Sequence, residues 1–256
     1  MTTPAQAPTR RLRRVVLALV GAALFLGFLA LGTWQVERRA WKLALIERVD
    51  QRVHAAPGAP PPASRWPAVS AAEHEYLPVT LQGWWLPGKT VLTQAVTELG
   101  AGFWVLTALQ QADGTQVLVN RGFVPQEQRT QWLAAAPPEG PAAVQGLLRM
   151  SEPDGGFLRA NDPAQQRWHS RDVAAIAQAL QLPNAAPFFI DAGLPATTPS
   201  ATPGTGWPRA GLTVVRFRNT HLVYALTWYG LALMVLVAFW TVARYERRLS
   251  RPAKPQ

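Results

Sequence analysis

A histidine heads the second long apolar stretch of the chain. Residues 221–243, HLVYALTWYGLALMVLVAFWTVA, contain no Asp, Glu, Lys or Arg beside His221. Ionisable groups in membrane spans usually face protein, water or a ligand, and imidazole is a usual axial ligand to haem iron. Tyr224, Ala225 and Trp228 follow on the same helix face, where a small residue between two aromatic rings suits a flat macrocycle. Equally, His221 can lie at the headgroup level, with Tyr224 and Trp228 in the aromatic belt.

The other three histidines are weaker candidates for ligands. His54 follows Trp34 by about 20 residues, or roughly 30 Å along a continuous helix, which places it poorly for sharing a metal with His221. His74 and His169 occur in polar stretches and are expected to be solvated.

The sequence contains no recognisable catalytic motif. It has no cysteine, which excludes disulfides, redox CxxC pairs and thiolate metal sites. HExxH, GxSxG and phosphate-binding loop motifs are absent as well. His169, Asp172 and Asp191 could be imagined as a hydrolytic group, but their spacing does not favour one, and Asp172 suits a helix N-terminus. We therefore expect that the protein is not an enzyme.

Two apolar stretches, residues 15–34 and 221–243, are each roughly 20 residues long, as a membrane-spanning helix requires. The net charge of +10 lies mostly outside them, because residues 1–14 and 244–256 carry +4 each. This distribution indicates two cytoplasmic basic tails and excludes a nucleic-acid footprint. The first stretch is long for a cleaved signal peptide, so we expect it to remain as an anchor in the lipid bilayer.

The segments between the spans predict a juxtamembrane helix and a folded domain. Helical spacing of apolar residues continues over 35–56, a proline-rich linker follows at 57–67, and a domain occupies 68–217. Strands are predicted over 75–85, 89–94, 103–125 (a hairpin with a two-residue Asp113–Gly114 turn), 142–150, 188–192 and 212–217, and a helix over 171–180. A Pro/Thr/Gly-rich loop at 195–208 is predicted to be mobile. The fold class is therefore a membrane protein whose two transmembrane α-helices flank a β-rich α+β extracytoplasmic domain.

Small residues on the first span predict how it meets the second. Ala18, Ala22, Ala23 and Gly27 have the small-xxx-small spacing that permits close helix packing. Beyond them, Trp34, Gln35 and Trp41 are expected to line a cleft between the spans, although belt anchoring alone would explain the tryptophans.

The order of these features resembles the surfeit locus protein family, membrane assembly factors for haem–copper terminal oxidases. The resemblance rests on LGTWQVERRAWKLALI (31–46), LQGWW (81–85), NRGFVP (120–125), FLRANDPAQQRWHSRDVAAIA (157–177), PFFIDA (187–192) and RNTHLVYALTWYGLA (218–232). The loop at 195–208 departs from the pattern, so no function is assigned to it.

The resemblance implies a protein of the bacterial inner membrane, with both termini cytoplasmic and the central domain periplasmic. It implies an assembly factor for cytochrome c oxidase that receives haem A from haem A synthase and assists its insertion into subunit I. His221 matches the family's proposed haem ligand. Arg216 and Arg218, just before it, are candidates for contacting the haem propionates.

Two other functions are consistent with the same sequence. The protein can act as a haem-free scaffold that stabilises an assembly intermediate of subunit I, or as an unrelated membrane-anchored enzyme or sensor. Arg121 can pair with a propionate or a partner's carboxylate, or the Asn-Arg-Gly stretch can be turn chemistry that needs Gly122.

Overall fold

A computed structural model describes residues 7–153, 155–156, 159–194, 206–215 and 219–249. The chain divides into two compact units. Residues 1–46 and 217–256 form the first unit, and residues 47–216 form the second.

The first unit is a pair of long helices. α1 spans Ala7–Val53 and α5 spans His221–Leu249. Both contain segments long and apolar enough to cross a membrane. α1 extends without a break from the first span to Val53, whereas the juxtamembrane helix is predicted over 35–56.

Contacts along the helix pair show that it is antiparallel. Phe28 stacks on Trp228 with ring centroids 5.8 Å apart, and Arg14 pairs with Glu246 at 3.1 Å near the opposite end. The N-terminal end of α1 and the C-terminal end of α5 therefore lie together.

The helices meet along stripes with a period of about 3.5 residues, the spacing of left-handed helix pairs. The less exposed positions on α1 up to residue 35 are Gly21, Phe25, Phe28, Leu29, Gly32 and Gln35, and on α5 they include His221, Ala225, Trp228, Ala232 and Val235. A Cβ at Gly32 would lie 2.7 Å from the Tyr229 ring, so this glycine permits the close approach.

The predicted small-residue stripe was wrong. Ala18, Ala22, Ala23 and Gly27 are exposed, and nothing lies within 4 Å of a Cβ built at Gly27. Several phases of an apolar helix offer small residues at four-residue spacing. The bulky aromatic side chains of α5 decide which of these faces packs, and they fit against the face that carries Gly21 and Gly32.

The second unit is a closed five-stranded barrel with strand order β1-β2-β3-β5-β4. Its strands are β1 (Pro78–Thr97), β2 (Gly100–Gln110), β3 (Gln116–Pro125), β4 (Pro141–Met150) and β5 (Ala185–Ala192). Three short helices accompany them: α2 (Ala71–His74), α3 (Arg129–Ala134) and α4 (Val173–Ala179). The β-rich α+β prediction is confirmed. Every strand pair is antiparallel except β3 with β5.

Several predicted strand boundaries needed correction. The strands at 75–85 and 89–94 form one long strand, β1, because Gly88 (φ +69°) lies in an irregularity within the strand and does not end it. The hairpin at 103–125 is confirmed, but five residues, 111–115, connect its strands instead of two. Residues 212–215, predicted as a strand, are irregular, and 216–217 lie outside the described residues.

The proline-rich segment at 57–67 is part of the barrel unit and not a free linker. Gly58 bonds to β1 through Pro78 and Thr80, at 3.1 and 2.8 Å. Trp66 packs edge-on against the buried Phe188. Of the loop predicted to be mobile at 195–208, residues 195–205 lie outside the described residues.

The two larger apolar clusters of the barrel unit lie inside the sheet and under α4. One contains residues from all five strands, namely Val79, Leu81, Leu109, Val117, Val119, Leu148, Ala186, Phe188 and Ile190. The other packs α4 and Trp168 against the sheet. The amphipathic pattern that predicts the helix at 171–180 is confirmed, with Val173 and Ile176 buried.

Candidate functional site

His221 is the first residue of α5, and its side chain meets Gln35 of α1. The imidazole Nδ1 lies 2.7 Å from the Gln35 Oε1 atom. Both side chains are partly buried. The long helix pair thus places the histidine at one end of its packed stripe.

This contact favours the imidazole tautomer in which Nδ1 carries the proton. An amide oxygen accepts hydrogen bonds and does not donate them, so Nδ1 of His221 donates to Gln35. In neutral imidazole the other nitrogen, Nε2, then holds a lone pair. Among the described residues Nε2 has no hydrogen-bond partner. Metal-binding histidines share this arrangement, in which one nitrogen is held by a second residue and the other faces the metal.

The structure separates the residues that were expected to form a flat surface beside His221. Ala225 is only 2% exposed, and Trp228 stacks on Phe28 of α1 with an interplanar angle of 24°. Tyr224 is 53% exposed on the outside of the pair. Trp228 therefore contributes to helix packing and Tyr224 remains accessible, while their roles toward a cofactor stay predictions.

The residues expected to line the cleft divide in the same way. Gln35 contacts His221, whereas Trp34 and Trp41 are 53% and 50% exposed. Trp41 is stacked under Arg38, whose Cζ lies 4.4 Å from the ring centroid. Both tryptophans thus lie outside the helix contact. Arg216 and Arg218, the candidates for propionate contacts, lie outside the described residues.

The remaining histidines are hydrogen-bonded within their local structure. His54 contacts the carbonyl of Asp50 at 2.7 Å, and His74 accepts from the Ser70 amide at 3.3 Å. His169 contacts the Gln94 side chain at 2.9 Å. His74 and His169 are partly buried and so less solvated than expected. Among the described residues, no three His, Asp or Glu side chains converge on a possible metal site.

The imagined hydrolytic group does not assemble. His169 contacts Gln94, and Asp172 caps α4 by accepting from the Ala175 amide at 3.1 Å, as its position in the sequence predicts. Asp191 belongs to a separate ion network, so the three side chains serve different local contacts.

This ion network, centred on Asp191, is the feature that sequence reasoning missed. The carboxylate is 4% exposed and lies 3.0 Å from Arg149 and 3.1 Å from Arg171. Asn120 and Thr213 also donate to it, at 2.7 and 3.0 Å. Its members are far apart in the sequence, and barrel closure brings them together.

Two further carboxylates complete the network. Glu75 accepts from Arg149 at 2.7 Å, and Glu152 binds Arg171. Although burial disfavours its charge, Asp191 and Glu75 raise the pKa of Arg149. Burial alone would favour neutral Glu152, but the hydrogen bonds and charge of Arg171 hold the pKa of Glu152 below its usual value. Every charged member of the network therefore has a partner of opposite charge within 4.0 Å.

The matches to known proteins cover both units. The SURF1 family model matches residues 22–233, which contain His221, Gln35 and the whole barrel. The chain belongs to the SURF1 family. The family resemblance predicted from the sequence is thereby confirmed.

Relatives of this SURF1 family member extend over most of its length. "Surfeit locus protein 1" of Homo sapiens is 35% identical over 237 residues, covering 85% of this chain and 73% of the human protein. The Xenopus tropicalis protein of the same name is 34% identical over 234 residues, covering 84% and 71%. A "SURF1-like protein" of Monosiga brevicollis is 34% identical over 229 residues, covering 84% and 82%.

Proposed function

We propose that this SURF1 family member is an assembly factor for haem–copper cytochrome c oxidase, which binds haem A through His221 and assists its insertion into subunit I. The observation that carries the proposal is the hydrogen bond between His221 Nδ1 and Gln35 at 2.7 Å. It orients the imidazole and leaves Nε2 for iron, the usual mode of axial ligation.

Haem is cargo in this proposal, and the chain acts by holding it. One axial imidazole anchors the iron, and the exposed Tyr224 ring is available to contact the macrocycle from outside the helix pair. Trp228 supports the site indirectly, because its stack on Phe28 fixes the helix that carries His221. Binding and release require no covalent step, so the proposed role is not enzymatic.

The distribution of charge supports a site at the outer face of a bacterial inner membrane. Arg14 of α1 lies beside Glu246 of α5, and Arg244, Arg247 and Arg248 follow on that end of α5. His221 begins α5 at the other end. Because basic residues favour the cytoplasmic side, His221 would lie at the outer interface, with both termini cytoplasmic and the barrel periplasmic. Haem A synthase would supply the haem there, and subunit I would receive it.

The first test is the absorption spectrum of the purified full-length protein, produced together with haem A synthase. We expect haem A to co-purify with the natural protein and to be lost from His221→Ala. His54→Ala is the matched control, because the imidazole that it removes has only Asp50, four residues earlier, as a polar partner within the described residues. It should retain the pigment.

Two other outcomes would overturn the proposal. Equal pigment in His221→Ala and the natural protein would remove His221 as the ligand. No pigment in any variant, with oxidase assembly intact in His221→Ala cells, would instead identify the protein as a haem-free scaffold for subunit I.

A further inference from the structure

Arg121 occupies a position in β3 that a bulge creates. Asn120 pairs with Leu106 and Phe123 pairs with Trp104, so two residues of β3 oppose a single residue of β2. Gly122 adopts φ +134°, and a Cβ there would collide with the backbone of Arg209. The Asn120 side chain accepts from the Gly122 amide at 3.1 Å. Since bulges re-aim side chains, these contacts fix the direction of Arg121.

Two tryptophans hold the Arg121 guanidinium. Its Cζ lies 5.3 Å from the Trp85 ring centroid and 5.7 Å from that of Trp132. The Trp132 indole is itself fixed, because its Nε1 donates to Gln128 at 3.1 Å. Guanidinium–tryptophan stacking uses the faces of both groups and leaves the N–H donors at the guanidinium edge for other partners.

Those N–H donors have no acceptor in the described part of the chain. Neither a hydrogen bond nor a carboxylate within 4.0 Å engages the Arg121 guanidinium there, and burial lowers the pKa of this group without any opposing carboxylate. Arg149 and Arg171 differ sharply, since within 4.0 Å Arg149 contacts three carboxylates of the Asp191 network and Arg171 contacts two. The barrel unit thus supplies carboxylate partners for Arg149 and Arg171, but its described residues supply none for Arg121.

We propose that the site formed by Trp85, Arg121 and Trp132 binds a carboxylate side chain of a partner protein. A guanidinium edge matches a carboxylate in two parallel hydrogen bonds, and indole walls can contact the methylene groups of a glutamate. Tryptophan and arginine are also the residue types that dominate protein–protein hot spots. The proposal is independent of haem binding, because none of these residues belongs to the helix pair.

The test uses the full-length protein in a neutral detergent, with hexaglutamate as the probe and hexaglutamine as the uncharged control peptide. Side-chain Nε–H signals of arginine in NMR spectra report binding, and Arg121→Lys identifies the signal of Arg121. We expect hexaglutamate to shift that signal, and hexaglutamine to leave it unchanged.

Three variants separate the paired hydrogen bonds from general charge. Arg121→Lys keeps the positive charge but cannot form the two parallel hydrogen bonds to one carboxylate. Arg121→Gln loses both the charge and these hydrogen bonds. Arg65→Gln removes the same charge from an exposed site in the same unit. We expect about tenfold weaker hexaglutamate binding for both Arg121 variants and little change for Arg65→Gln. Tenfold corresponds to the lower end of the free-energy range for a hydrogen bond to a charged group.

Folding and the nature of the ligand are tested separately. Trp132→Leu removes one wall while retaining Arg121, and should also weaken binding if its thermal unfolding is unchanged. Equal losses in Arg65→Gln and Arg121→Gln would overturn the proposal. So would stronger Arg121-dependent binding of free glutamate, of inorganic phosphate or of vesicles containing phosphatidylglycerol, because each would assign the site to something other than a partner protein.

Discussion

Replacing Gln35 with leucine removes the hydrogen bond to His221 while keeping a side chain of similar size in the helix contact. A neutral hydrogen bond contributes about 0.5–1.5 kcal/mol, and polar contacts between membrane helices average about 0.6 kcal/mol. When a metal-binding histidine loses the neighbouring residue that hydrogen-bonds to it and orients it, metal affinity falls about 10–100-fold. Since 1.4 kcal/mol corresponds to tenfold, the hydrogen bond alone corresponds to about two- to twelvefold in affinity. The two ranges overlap near tenfold, so we expect about tenfold weaker haem binding by Gln35→Leu.

The assay is a haem titration of the full-length protein in detergent, followed at the Soret band. ¹⁵N chemical shifts of the His221 ring are measured on the haem-free protein, so that the tautomer is observed without cargo. In the natural protein, Nδ1 should carry the proton. Gln35→Leu should show a mixture of tautomers, and Gln35→Glu, which retains an acceptor, should restore the natural one.

Tyr229→Phe is the matched control for this experiment. It removes a different interhelical hydrogen bond, from Tyr229 to Thr33 at 3.2 Å, without touching His221. If Tyr229→Phe weakens haem binding as much as Gln35→Leu, the effect belongs to helix packing in general. An unchanged His221 tautomer in Gln35→Leu would refute the orienting role directly.

The remaining predictions concern the barrel unit. Asp191→Asn leaves Arg149 and Arg171 without their shared carboxylate, so it should cost about 3 kcal/mol, or about 6–12 °C in Tm by calorimetry; Glu98→Gln, at an exposed site, should cost little. Because the pKa of Glu152 is lowered in the folded state, its stabilisation is present above the usual value of 4.5 and disappears as the pH falls through the lowered pKa. The acid-induced fall in Tm should therefore be shallower in Glu152→Gln, and an identical pH profile would contradict this. Asp172→Ala should destabilise the barrel by about 1 kcal/mol in chemical denaturation, through loss of the α4 N-cap, whereas Asp172→Asn should retain most of that stability.

Local patterns were sufficient to predict most elements of this fold. Length and hydropathy identified both spans, and the 3.6-residue period identified the helix that Asp172 caps. Turn residues were less decisive. Gly88 marks an irregularity inside β1, between two segments that the sequence predicts as separate strands, because pairing with β2 continues on both sides of it. Local chemistry does not reveal whether a neighbouring strand continues.

Contacts between distant residues account for what the sequence did not predict. The Asp191 network joins β4, β5 and the loop before α4, and no spacing rule relates Arg149 to Arg171. Similarly, His221 stands out in the sequence as an ionisable residue at the head of an apolar stretch. Its hydrogen bond to Gln35, however, depends on which faces of the two helices meet. The phase of that contact is set by the fit of Tyr229 against Gly32.

The position of the Gln35–His221 pair follows from the cost of burying an unpaired polar group between two packed helices. Deeper along the pair, the contact is made by Phe28 on Trp228 and by the buried Ala225 and Ala232, so an unpaired imidazole nitrogen there would lose its hydration without compensation. At the end of the packed stripe, Gln35 of the neighbouring helix holds Nδ1 of His221, and Nε2 is left for water or a ligand. The same hydrogen bond thereby joins the two helices at this end and orients a side chain suited to iron. This coupling explains why a substitution at Gln35 should affect the His221 tautomer and haem affinity together, whereas loss of the Tyr229 hydrogen bond should affect neither.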